Sequence, residues 1–186
     1  MIRSEQHKRW KVLPNVDYGR DLDAAISGAP NFYYGEVVQS AKAVLYSIKN
    51  IPTEAQWRAA EEFARKVLQP LRNRFGGLHL ESWFRCILLN THPSIGGSTT
   101  GFHPTGGGGD IERLDGGALF EMLEWAFNNL PEFGEIIAEY FPEGWVHIGY
   151  LKGDNRRILK LKDADHHFAR VTIDRINNIY GAVHHA

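Results

Sequence analysis

The chain has one cysteine, Cys86, in 186 residues. A lone thiol excludes an intrachain disulfide framework and a cysteine-rich zinc knuckle, which leaves Cys86 to be read as a small buried apolar residue. Charge of one sign is not in excess either. The 21 Lys and Arg stand against 22 Asp and Glu, for a formal net charge of −1. No basic field exists to attract nucleic acid or an anionic membrane, so any partner must be recognised locally. Long apolar runs are missing as well: no segment approaches the roughly 18 consecutive apolar residues of a membrane span. The opening MIRSEQHKRWKV is polar where a secretory signal needs an apolar stretch. These absences predict a chain made in the cytoplasm without a signal peptide, and a monomer is expected. They also predict no nucleic-acid or membrane partner.

With 43% hydrophobic and 12% aromatic residues, the chain can bury one sizeable core. Residues 1–34 lack sustained periodicity and read as an N-terminal arm of loops. Residues 35–162 read as the main domain and 163–186 as a helical extension packed on it. Gly35 to Asn50 reads as a short helix. Thr53 followed by Gln56 is a capping box, after which Trp57, Ala60, Ala64, Val67, Leu68, Leu71 and Phe75 recur at helical spacing until Gly76 and Gly77. That pattern predicts an amphipathic core helix kinked at Pro70. Alternation in Leu78 to Phe84 predicts a strand ending at Arg85, and Asn90 to Gly109 reads as a long loop. Leu114 to Leu130 is expected to be helical. EIIAEYF, WVHIGYL and RRILKLK are expected to be strands, separated by turn residues. The predicted class is α+β, with helices packed on a mostly antiparallel sheet.

The chemistry concentrates in GFHPTGGGGDI, residues 101–111, and in WVHIGY, residues 145–150. His103, Asp110 and His147 offer two imidazole nitrogens and one carboxylate oxygen. That set suits zinc, and stopping at three protein ligands leaves a fourth position for water, as catalytic sites do. Each residue also has a plainer reading. His103 could be a turn residue in a Gly-rich loop and His147 a satisfied core histidine. The four glycines are no phosphate cradle, because no Lys followed by Ser or Thr comes after them. They are expected instead to let the backbone pass close to a buried ion or substrate. His166, His167, His184 and His185 form a rival cluster, but without a nearby acidic partner they read as a solvated tail.

From about residue 32 to 160 the chain resembles the phage-type branch of the zinc D-Ala-D-Ala carboxypeptidases, which share a fold with the hedgehog signalling domain. That family carries Ser-x-His-x-x-Gly-x-Ala-x-Asp-Ile. His103, Gly106, Asp110 and Ile111 fall in matching places, with Gly101 and Gly108 replacing its Ser and Ala. Upstream, Asn50, Pro52, the Leu68-x-Pro70-Leu71-Arg72 helix end, Ser82 to Arg85 and Asn90 follow the family's order. So do Gly96, Gly97 and Ser98 before the histidine. Downstream, Glu135 to Glu139 and Trp145 to Gly149 resemble its two closing strands.

The resemblance implies a hedgehog/D-Ala-D-Ala peptidase-like fold and a zinc metallopeptidase. His103, Asp110 and His147 would hold Zn2+, lowering the pKa of bound water from 15.7 to about 7. Glu139 aligns with the family's general base. Glu143 competes for that role, being closer in sequence to His147, although its Pro-Glu-Gly turn favours a solvated side chain. Arg85 would clamp a substrate carboxylate or carbonyl through its two-pronged guanidinium. The expected activity is hydrolysis of an amide bond in the peptidoglycan stem peptide, as a D,D-carboxypeptidase or endopeptidase. The expected setting is a phage or prophage enzyme acting at the bacterial wall after release, or carried in the virion. The alternative is a non-catalytic zinc-binding module, either a virion structural protein or hedgehog-like. Gly101, Gly108 and Gly149 are the departures that keep it open.

Overall fold

The N-terminal arm contains a hairpin. In the computed structural model, which describes residues 9–141, 143–163, 165 and 167–184, β1 (Ala25–Ile26) and β2 (Ala29–Tyr33) pair antiparallel. Gly28 turns between them at φ +79°, a left-handed conformation that glycine adopts without steric cost. Residues 9–34 are therefore more than loops, and Trp10, Val12, Tyr18, Leu22 and Phe32 are all buried. Two-residue and five-residue strands are too short to show a period in the sequence. Residues 1–8, whose polarity argued against a signal, lie outside the described residues, as do His166 and His185 of the rival cluster.

Contacts group the chain into two units. One holds the chain up to Gln69 together with Ser82–Gly109, and the other holds Pro70–Glu81 together with the chain from Asp110 onward. In the first, the helix expected over Gly35 to Asn50 is two short ones, α1 (Tyr34–Val38) and α2 (Ala41–Leu45). The predicted capping box then opens α3 (Glu54–Phe63). Thr53 Oγ1 accepts the Gln56 N–H at 3.4 Å, and Gln56 Oε1 accepts the Thr53 N–H at 2.7 Å. Trp57, Ala60 and Phe63 are its buried stripe. Ala64–Leu68 is a π-helical turn, and α4 (Gln69–Phe75) follows in sequence, its residues from Pro70 onward grouped with the other unit. Proline has no N–H to give, and its ring meets the carbonyl four residues back, so a helix approaching Pro70 must adjust. The adjustment is a widened turn in which the Gln69 N–H bonds Ala64 O, five residues back.

The second unit is built on a six-stranded sheet in the order β3-β4-β6-β5-β7-β8. Its strands are β3 (Leu78–Ser82), β4 (Gly108–Arg113), β5 (Glu135–Glu139), β6 (Trp145–Gly149), β7 (Ile158–Lys162) and β8 (Phe168–Arg170). The sheet is mixed, with one parallel pairing beside antiparallel ones. β5 and β6 pair antiparallel, but the chain then passes over β5 and lays β7 on its other side, parallel to it. Strands β4 and β8 were not foreseen, since a glycine run and a three-residue exposed strand carry no alternation. Helices α6 (Leu119–Asn129) and α7 (Ile173–His184) belong to this unit, with a short α5 (Ile87–Asn90) in the other.

Register sorts the two sheet faces. Ile136 stands opposite Ile148 and Leu159, and Ala138 opposite Val146 and Leu161. Opposed residues share a face, so this one is apolar, and α6 packs on β5 and β6. The other face carries Glu135, Ile137 and Glu139, opposed on β6 by Gly149, His147 and Trp145 and on β7 by Ile158, Lys160 and Lys162. Five of these residues are ionisable. A strand face this polar beside buried neighbours is where chemistry belongs.

Candidate functional site

In the first unit, the segment after β3 is held by buried asparagines. Asn50 donates from Nδ2 to the carbonyls of Val38 (3.0 Å) and Phe84 (2.9 Å), and its Oδ1 accepts the Cys86 N–H at 2.8 Å. These three bonds fix the chain on both sides of Arg85. Asn90 donates to Ser98 O at 2.7 Å and accepts the Arg85 Nη1 proton at 3.1 Å. Arg85 also donates from Nε to Ser82 Oγ at 2.6 Å.

His103 opens a 3-10 turn, His103–Thr105, and is buried. Its Nδ1 lies 2.6 Å from Trp83 O. A carbonyl only accepts, so Nδ1 carries the proton and Nε2 keeps the lone pair. Arg85 Nη2 donates to that lone pair at 3.1 Å. The imidazole therefore presents Nε2 as a base or ligand atom. The turn is anchored by Gln56 Nε2 on Pro104 O (2.8 Å) and Trp83 Nε1 on Gly106 O (2.9 Å). Gly106 sits at φ +87°, and a Cβ there would come within 2.4 Å of Gln56 O. Gly106 thus allows the turn a close approach to α3.

In the second unit, Asp110 on β4 and His147 on β6 are both buried, and His147 Nδ1 lies 2.8 Å from Asp110 Oδ1. At this separation Nδ1–H donates to the carboxylate, and with that proton removed the same nitrogen and oxygen are two donor atoms available to a metal ion. The donor set fits zinc. On the ring's other side, Glu135 Oε1 is 4.0 Å from Nε2. Glu135 also accepts from Lys160 Nζ at 2.6 Å. Glu139 is buried and ion-paired with Lys162 at 2.6 Å, and the Lys162 ammonium stands 5.3 Å from the Tyr140 ring. Opposite Glu139, Trp145 Nε1 is a buried donor without a hydrogen-bond partner among the described residues. Such a donor costs roughly 1 to 3 kcal/mol when unsatisfied.

Of the residues expected to act, the structure brings Asp110 to His147 within one unit and Arg85 to His103 within the other. Glu139 shares the face of His147, whereas Glu143 is exposed. Sequence reasoning missed Glu135, Lys160 and Lys162, although Glu-x-x-x-Glu and Lys-x-Lys each place two charges on one side of a strand. It also missed the Trp83 carbonyl, for which no sequence signal exists. Two further clusters, His79 with Glu81 and Glu112 and Asp163 with Asp165 and His167, lie mainly on the surface. No family model matches this chain, and no curated protein matches it either.

Proposed function

We propose that this protein is a zinc-dependent peptidase that hydrolyses an amide bond in the stem peptide of bacterial peptidoglycan. In this reading His103, Asp110 and His147 are the ligands. The observation that carries it is the buried Asp110–His147 pair on a sheet face that also holds Glu139. The ordered matches of GFHPTGGGGDI and WVHIGY to the zinc D-Ala-D-Ala carboxypeptidases supply the substrate class, and with it a phage or prophage setting at the bacterial wall.

Zinc, when bound, supplies a Lewis acid that polarises a carbonyl and acidifies water toward a pKa of about 7. Glu139 takes the proton of the attacking water and delivers it to the leaving amine, so that no charged amide fragment has to depart. Lys162 keeps that carboxylate pointed along the face between strokes. The Trp83 carbonyl holds the proton of His103 on Nδ1, so Nε2 would be the atom offered to a bound ion. When Nε2 is engaged, Arg85 Nη2 is released from it and turns its fork to a carboxylate or carbonyl of the substrate.

The non-catalytic zinc module is the second reading. It is favoured by the Lys162 bond that already occupies Glu139 and by the bonds that occupy Arg85. Digestion of purified peptidoglycan, with mass analysis of released peptides, separates the two. Glu139→Gln should retain zinc and lose on the order of 10²- to 10⁴-fold in rate, and Glu143→Gln should lose much less. Reversed losses would make Glu143 the base. A wild-type protein that binds zinc and releases no peptide from any wall preparation is the non-catalytic module.

A further inference from the structure

The polar sheet face holds a chain of contacts that reaches from the proposed ligands to two residues, Glu135 and Lys160, that the proposed chemistry does not use. Lys160 Nζ lies 2.6 Å from Glu135 Oε2, Glu135 Oε1 lies 4.0 Å from His147 Nε2, and His147 Nδ1 lies 2.8 Å from Asp110 Oδ1. All four residues belong to one unit, on β7, β5, β6 and β4. Glu135 and His147 have side chains only 16% and 6% exposed. Placing a carboxylate beside a second nitrogen of a buried ring is costly unless it is compensated, and Lys160 compensates it.

We infer that Glu135, braced by Lys160, is a positioning residue that holds the His147 ring with Nδ1 turned toward Asp110. The inference rests on the proposed reading of His147 as a metal ligand. An imidazole can offer only one nitrogen lone pair to a metal, and the opposite N–H must then be directed at an acceptor. A carboxylate in that place fixes the ring orientation and raises the basicity of the ligating nitrogen. Glu135 is placed for this by register: it stands opposite Gly149, two residues from His147 on the same face. Lys160 reaches Glu135 from two residues further along the parallel strand, opposite Ile137. Without the brace the carboxylate would be free to swing away.

The test uses the full chain and zinc ion alone. Affinity is measured by competition with a chromophoric chelator for wild type, Glu135→Ala, Glu135→Gln and Lys160→Met, with Glu81→Ala as an exposed control. Glu135→Ala should weaken zinc binding roughly 10- to 100-fold, the usual effect of losing a residue that orients a ligand. Glu135→Gln, whose amide oxygen still accepts, should lose less, and Lys160→Met should shift in the same direction. In parallel, melting temperatures of the metal-free Glu135→Ala, His147→Ala and double variants are compared. Non-additive shifts support a direct coupling of the two side chains. Wild-type zinc affinity in Glu135→Ala overturns the inference while leaving the metal reading intact. If wild type binds no zinc, the metal reading falls and the melting cycle alone decides: additive shifts overturn the coupling, and non-additive shifts uphold it. Should Glu135→Ala fail to fold, Glu135→Gln and Lys160→Met carry the same comparison.

Discussion

Arg85 illustrates how a residue's neighbours change what its sequence position implies. It sits at the end of the predicted strand, and the family resemblance reads it as a substrate clamp. Its guanidinium reaches Ser82, Asn90 and His103, at separations of three to eighteen residues along the chain. A lysine keeps the charge but cannot reproduce three bonds in one plane. Arg85→Lys is therefore expected to lower the melting temperature and to leave zinc content unchanged. It should also reduce kcat/KM about 10- to 150-fold, the equivalent of about 1.5 to 3 kcal/mol for a bond to a charged group. Melting and turnover measured on the same preparation check this. Instability with normal turnover would confine Arg85 to bracing Asn90 and His103. At the same scale, the purified protein should carry about one zinc per chain, and His147→Ala should remove it, as read by elemental analysis. Full metal content in that variant would end the ligand assignment.

Among the elements, α3 was the most legible, because a cap and an apolar stripe are both local patterns. Thr53→Ala should cost roughly 0.5 to 2 kcal/mol in chemical denaturation, with no change in slope. Strand β4 was illegible for the opposite reason. It begins in a glycine run, and the close approach of Gly106 in that run to α3 backbone exists only after folding. Gly106 and Gly96 separate the two contributions. Both have positive φ, but a Cβ at Gly96 meets nothing within 4 Å, whereas at Gly106 it meets Gln56 O at 2.4 Å. Gly96→Ala should cost only the left-handed backbone term, roughly 1 to 2 kcal/mol. Gly106→Ala should cost clearly more, and equal losses in denaturation would show that the turn shifts freely away from α3. The π turn before Pro70 was half legible: the proline announced a disturbance, but whether helix would bend or widen depended on the packing of Ala64, Val67 and Leu68.

For the molecule as a whole, charge is nearly balanced, and its pH response depends on particular pairs. The clearest is Asp115, whose carboxyl is held down at about 2, first by its hydrogen bonds from Arg113 and then by the Gly117 N–H. A folded pKa below the ordinary carboxylate value means stability that is present above about pH 4 and lost as pH falls toward 2. Asp115→Asn should therefore melt below wild type at neutral pH, and the gap should close as the pH approaches 2. A gap independent of pH would assign the effect to the turn and not to the charge. Binding a metal to the folded chain should act on the whole molecule as well. Zinc at about 100 times its Kd adds roughly 2.7 kcal/mol, so the melting temperature should rise with zinc and fall with a chelator, and His147→Ala should abolish the response.

What the sequence determined by itself is whatever depends on neighbours along the chain: the capped helix, the strands around His147 and Glu139, the α+β class, and the motif that nominates His103, Asp110 and His147. Tertiary structure alone decided the parallel pairing of β5 with β7, the approach of Gly106 to α3 and the proton position on His103. It also decided the association of Lys160 and Lys162 with Glu135 and Glu139. Each of these joins groups distant in sequence through a hydrogen bond, a clash or an ion pair whose energy is set by a separation of a few ångströms. Such separations exist only once both partners have been brought together.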